Sequence, residues 1–283
     1  LLTFIKMIRS LYQKIFVRTW QLTEREATAF RISPEGKKAD GRVMLIAVVA
    51  CLGLIFIEYI GKDPGYVYVR DFLAATGLKK LSISFAGLLE NNPNRQLNAL
   101  AYWVSIIAVF YLIIPILVIK FIFKENLRDY GIRGGFLMKD YKLYLGMLVV
   151  MIPLVWYFSH SDGFQLRYPF YRITNTESLW PNFVIWQLLY LFQFFCLEFF
   201  FRGFMVHGLK KRFGYYAVFI MTIPYCMIHF GKPLPETFAA IIAGVFLGTL
   251  SLKSKTIWMG VFIHYTVAIS MDLSSLWQRG YWN

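Results

Sequence analysis

The chain has 283 residues, 58% of them hydrophobic, 19% aromatic and 16% charged, with a formal net charge of +14 and a mean hydropathy of +0.51. Such a composition excludes a water-facing globular surface and reads as a polytopic membrane protein, an all-α helix bundle. The Lys and Arg residues fall between apolar runs, where they fix topology and touch anionic lipid, so the bilayer and not nucleic acid is the expected partner of the charge.

Residues 1–20 put Lys6, Arg9, Lys14 and Arg18 on one side of a helical wheel and Phe4, Ile8, Leu11 and Ile15 on the other. Charges interrupt every run apolar enough for a signal sequence, so an amphipathic interfacial helix on the cytoplasmic leaflet is expected. A charged linker over 21–42, with Ser33, Pro34, Gly36 and Lys38, completes an N-terminal region 1–42. The first span, Val43–Ile60, is stopped by Gly61, Pro64 and Gly65. A long mixed connection follows to Gln96, and its part Phe72–Leu89 is apolar enough to lie in the interface. The second span, Leu97–Phe123, ends a region 43–124.

The remainder, 125–283, reads as one transmembrane core. It opens with a basic loop broken by Gly131, Gly134 and Gly135, then a third span Leu143–Phe158 and a polar loop running to Pro181. The fourth span starts at Asn182 and closes at Lys210, Lys211 and Arg212. The fifth, Tyr215–Phe230, is kinked by Pro224, and the sixth begins at Glu236 and carries Gly244 and Gly248 at the GxxxG spacing that admits a close neighbour. The seventh runs from Thr256 to Leu273. Basic clusters before span one and after spans two, four and six give about seven spans with the N-terminus cytoplasmic.

Ionisable residues inside spans mark functional sites or buried ion pairs. Glu198 and Arg202 lie four apart in an aromatic run of span four, and His229, His264 and Asp272 lie in spans five and seven. Counting the helical rise from the nearest cytoplasmic basic residue puts Glu198 about 18 Å deep, His229 about 25 Å and His264 about 14 Å. Tilt and the Pro224 kink absorb such differences, so one layer is expected to hold all three. Three readings stay open. The residues form a metal site, for which the usual local His spacing is absent; or a general base with its partners, suited to peptide hydrolysis; or separate polar groups, each satisfied on its own. Glu198 with Arg202 also reads simply as an intrahelical ion pair. The cysteines Cys51, Cys196 and Cys226 read as packing residues, and His160 and His207 as residues of span ends.

From Tyr130 to the last span, roughly 125–275, the chain resembles the CPBP family, the CAAX proteases and bacteriocin-processing enzymes also labelled Abi or type II CAAX prenyl endopeptidases. Glu198 with Arg202, Gly203 and Phe204 matches that family's second glutamate and arginine, Tyr225 to His229 its aromatic-to-histidine motif, and His264 its last histidine. Leu197 stands where the family has a first glutamate, and Ala268 where it has a polar residue. The resemblance implies an intramembrane endopeptidase of the glutamic or metal-dependent type, in which Glu198 and His229 activate water and His264 stabilises the oxyanion. Arg202 then holds Glu198, Tyr225 supports the site, and Asp272 is expected to orient an imidazole. Substrates would be membrane-associated proteins or peptides, the setting a bacterial inner membrane, with further membrane-protein partners open. No cofactor is required on this reading, although a zinc-type ion on Glu198, His229 and His264 is the metal-dependent variant. The alternative is a proteolytically inactive scaffold or substrate-binding subunit.

Overall fold

In hydrocarbon every backbone N–H and C=O must be satisfied within the protein, which a helix does inside its own segment. The computed structural model describes residues 2–37, 40–133, 141–172 and 177–281, and every regular element among them is helical. Lys38, Gly134 and Gly135 lie outside the described residues. Among the described residues, six helices are long and apolar enough to cross a membrane: Gly41–Gly61, Arg95–Ile122, Tyr141–Phe158, Asn182–Phe213, Leu234–Ser254 and Trp258–Gln278. Together they make the chain a multi-pass integral membrane protein. They correspond to expected spans one to four, six and seven.

The expected fifth span is shorter than its apolar run. Its helix, Tyr216–Met227, has 12 residues, about 18 Å of rise against a hydrocarbon core of about 30 Å. Beyond Pro224 the backbone tightens: the N–H groups of His229 and Phe230 bond to the carbonyls of Cys226 and Met227, at 3.0 and 3.1 Å, three residues back instead of four.

The chain divides into two compact units, Leu1–Cys51 with Ile114–Phe136 and Glu198–Gly260, and Leu52–Ile113 with Leu137–Leu197 and Val261–Asn283. In the first, the N-terminal helix does not stop at the expected linker. Leu2–Tyr12 passes through a π-helical stretch, Gln13–Val17, into Arg18–Ile32. Thr19, Thr23 and Ala27 repeat every fourth residue and form a buried face of small side chains. Trp20 stacks on Tyr215 at 5.0 Å and donates through Nε1 to Thr249 Oγ1 at 3.2 Å, and Phe16 meets Phe246 edge-on at 4.9 Å. The first helix keeps Ile5, Met7, Ile8, Leu11 and Tyr12 exposed. Its partner helices use the expected small residues: a Cβ on Gly244 would meet Thr222 Oγ1 at 2.9 Å, and one on Gly248 would meet Val218 Cγ1 at 2.8 Å. The GxxxG spacing therefore seats the helix Tyr216–Met227 against Leu234–Ser254.

In the second unit, the apolar connection after the first span forms two helices, Tyr66–Ala75 and Lys79–Glu90, tied where Ser82 Oγ donates to the Arg70 carbonyl at 2.9 Å. Leu97, Val104, Tyr171, Phe183, Trp186, Tyr190, Ala268 and Leu276 form its aromatic core. Glu177 is buried and accepts from the N–H groups of Gln96 and Leu97, at 2.5 and 3.2 Å. A carboxylate there satisfies the first amides of the helix Arg95–Ala108 and complements its dipole.

Candidate active site

The fourth span changes character at Glu198. Asn182–Glu198 is α-helical, and the next nine residues, Phe199–His207, wind as a π-helix, all of them buried. Wide turns of this kind shift the faces of a helix and recur at functional sites. At the junction Glu198 Oε1 and Arg202 Nη1 form an ion pair at 2.9 Å, with both residues 0% exposed. Either charge alone would be costly in this environment, so each is tolerated because the other neutralises it.

The pair is held from two further sides. The Arg202 guanidinium lies 4.2 Å over the Tyr225 ring, whose π face favours a cation. Gly260, in the first turn of the last span, backs onto the carboxylate: a Cβ there would overlap Glu198 Oε2 and stand 2.9 Å from its Cδ. Tyr225 in turn touches Phe201 edge-on at 5.3 Å and the His229 ring at 4.8 Å.

His229 lies in the tightened turn after Met227, and its Nδ1 is 2.8 Å from the Tyr225 carbonyl. A carbonyl only accepts, so Nδ1 carries the proton and the neutral ring has its lone pair on Nε2, the arrangement of a general base. Thr237 Oγ1 fixes the same turn by donating to the His229 carbonyl at 3.0 Å, and Lys232 pairs with Glu236 at 2.7 Å beside it. Within the first unit, then, Glu198, Arg202, Tyr225 and His229 form one continuous chain of contacts.

The remaining expected residues belong to the second unit. His264 stacks on Phe194 at 5.5 Å. Ala268 is buried in the aromatic core beside Trp186 and Tyr190, a place that suits a methyl group and not an amide. Leu197 is likewise buried. Asp272 was expected to orient an imidazole, but its described partners are the Phe170 N–H at 2.9 Å, Trp186 Nε1 at 3.1 Å and Gln187 Nε2 at 2.9 Å. It ties the loop after the third span to the fourth. His207, expected at a span end, is buried, with Nε2 2.8 Å from Ser251 Oγ.

Sequence reasoning missed Gly260, Thr237 and the pair of Lys232 with Glu236. The last was legible as opposite charges four apart, whereas Gly260 carries no signal in the sequence of the carboxylate it makes room for. Among the described residues no three His, Cys, Asp or Glu side chains are grouped to hold a metal ion.

No curated protein and no solved structure matches the chain. A family does match over residues 178–270, described as type II CAAX prenyl endopeptidase Rce1-like. The matched stretch includes Glu198, Arg202, Tyr225, His229, Gly260 and His264, and leaves out Asp272. Residues 178–270 are a domain of the Rce1-like type II CAAX prenyl endopeptidase family, a family of membrane proteases that act on protein substrates.

Proposed function

We propose that the chain is an intramembrane endopeptidase that hydrolyses a peptide bond of a membrane-associated protein or peptide. The observation that carries the reading is the contact chain from Glu198 through Arg202 and Tyr225 to His229, buried in a segment of a protease family. In this mechanism Glu198 takes a proton from a water that the Nε2 of His229 orients, as the water oxygen attacks the scissile carbonyl. The tetrahedral intermediate then collapses, and the same proton passes to the leaving amine. Arg202 holds the Glu198 carboxylate in place through their ion pair. Tyr225 keeps the guanidinium in place, and its carbonyl sets the tautomer of His229. The oxyanion role of His264 rests on the order of the sequence motifs, and no step is routed through a metal. Basic clusters at the ends of alternate spans support a cytoplasmic N-terminus, and the resemblance supports a bacterial inner membrane.

A second reading, a proteolytically inactive scaffold or substrate-binding subunit, is favoured by the sealed ion pair itself, since Glu198 is 0% exposed and Leu197 is apolar. The two readings separate in one experiment. Wild type, Glu198→Ala and His229→Ala are purified, checked for folded yield in detergent, and assayed against a broad panel of membrane-associated peptides, prenylated and unmodified. Cleavage by wild type that both substitutions abolish at normal yield supports the endopeptidase. Absence of wild-type cleavage across the panel, or a loss confined to yield, supports the scaffold.

A further inference from the structure

Outside the candidate active site, the first unit gathers three cations at the ends of three spans. Lys210 lies near the end of the helix Asn182–Phe213, Lys255 directly follows Leu234–Ser254, and Arg133 closes the loop after Arg95–Ile122. Lys255 and Lys210 meet through Ser251: the Lys255 N–H donates to the Ser251 carbonyl at 2.8 Å, and Ser251 Oγ lies 2.8 Å from the His207 ring that Lys210 touches. Close backbone approach brings the loop of Arg133 to them. Gly131, at φ +87°, lets the 127–133 loop reach the link between the last two spans, where Ile257 N–H donates to the Gly131 carbonyl at 3.2 Å. A Cβ on Gly131 would stand 2.7 Å from Ile257 Cγ2, and one on Gly203 would stand 2.6 Å from the Tyr130 carbonyl oxygen.

Lys210 is the unusual member. Its ammonium is half-buried and donates to His207 Nδ1 at 3.0 Å, while His207 Nε2 lies 2.8 Å from Ser251 Oγ. An ammonium only donates, so Nδ1 accepts, Nε2–H donates to Ser251, and the imidazole is neutral. Lys210 is thus positioned by a group that leaves its charge uncompensated. Among the described residues no carboxylate forms an ion pair with Lys210 or Lys255. The acidic groups nearby are Glu26, which is exposed, and Asp129, which is engaged with Arg133 at 3.2 Å.

We propose that Lys210, Lys255 and Arg133 form a binding site for the phosphate of an anionic phospholipid headgroup. The location favours this source, because Lys210 and Lys255 lie at the ends of spans and the 127–133 loop is tied to the link just after Lys255, where lipid headgroups are expected. His207 and Ser251 are positioning residues that aim Lys210 at the phosphate. The proposal is independent of whether the chain cleaves peptides.

The test uses the full chain purified in detergent, with lipid adducts counted by native mass spectrometry and bound lipid titrated. The probes are dioleoylphosphatidylglycerol, dioleoylphosphatidylcholine and inorganic phosphate. Wild type is expected to retain phosphatidylglycerol saturably and phosphatidylcholine weakly. Lys210→Gln and the exposed Lys255→Gln should each weaken phosphatidylglycerol binding about fivefold, the worth of one cation near an anionic lipid. Competition by millimolar inorganic phosphate supports the shared phosphate chemistry, and binding of inorganic phosphate with no retained lipid moves the source to free phosphate. Should Lys210→Gln lower folded yield, Lys255→Gln decides alone. Wild-type phosphatidylglycerol binding by Lys255→Gln, or equal retention of phosphatidylcholine, overturns the proposal.

Discussion

On the proposed mechanism Glu198 is the residue on which the chemistry turns, and its neighbours make sharp demands. Replacing Arg202 by Met would remove the guanidinium that neutralises a buried carboxylate, which typically costs about 3–5 kcal/mol. The expected result is a large drop in thermal stability that Glu198→Gln on the same chain largely restores, since two neutral groups need no counter-charge. Thermal unfolding of the single and double variants in detergent reads this, and an additive double variant would contradict it. Gly260→Ala tests the other side. A methyl group there meets the carboxylate of Glu198, so roughly 1–3 kcal/mol of destabilisation is expected, whereas Gly146→Ala, with nothing within 4 Å of its Cβ position, should be neutral or slightly stabilising. Glu198 and His229 were legible in the sequence because ionisable groups inside apolar runs stand out. Gly260 was not, because a glycine declares its purpose only when the atom it makes room for is known.

At the scale of elements, hydropathy located six of the helices to within a few residues, since the need to satisfy backbone groups in lipid leaves little freedom. The fifth was read too long because an apolar run does not reveal where the hydrogen-bond pattern tightens after Pro224. The N-terminal helix was read too short. Its second half, Arg18–Ile32, is polar on average, and its small buried face of Thr19, Thr23 and Ala27 carries no hydrophobic signal. Trp20 anchors that helix, so Trp20→Ala should cost about 2 kcal/mol through lost stacking and burial, read as a lower unfolding temperature. A neighbouring tie is pH-sensitive. Burial alone would raise the Glu125 carboxyl, but hydrogen bonds from Arg42, at 2.7 and 2.8 Å, and from Tyr130 outweigh it and lower the group from 4.5 to about 2. A carboxyl lowered in this way stabilises the fold fully above its unfolded value of 4.5 and loses that contribution as pH falls toward about 2. Wild type should therefore lose stability between pH 5 and about 3 more steeply than Glu125→Gln, and parallel profiles would contradict this.

For the molecule as a whole, composition alone excluded a soluble protein, and the order of three motifs pointed to the family that residues 178–270 match. What the sequence could not convey was burial: Ala268 reads as a missing polar group, yet it lies in an aromatic core, and Asp272 reads as a partner for histidine, yet it ties a loop to a helix. Both depend on contacts between residues far apart in the chain. The orientation is open to measurement. In a background without Cys51, Cys196 and Cys226, a cysteine at Thr3 should react with impermeant maleimide only after the membrane is opened. Reaction in intact cells would refute the proposed topology.

On the proposed mechanism Glu198 acts on water and does more than neutralise Arg202. Its most direct test is the cleavage rate of Glu198→Gln on a peptide that wild type cuts, with unfolding temperature measured on the same preparation. The amide keeps the shape and removes the base but leaves Arg202 without its counter-charge, so the unfolding temperature should fall and the rate per folded molecule should fall roughly 10²–10⁴-fold. A folded Glu198→Gln protein that cleaves at the wild-type rate would contradict the account.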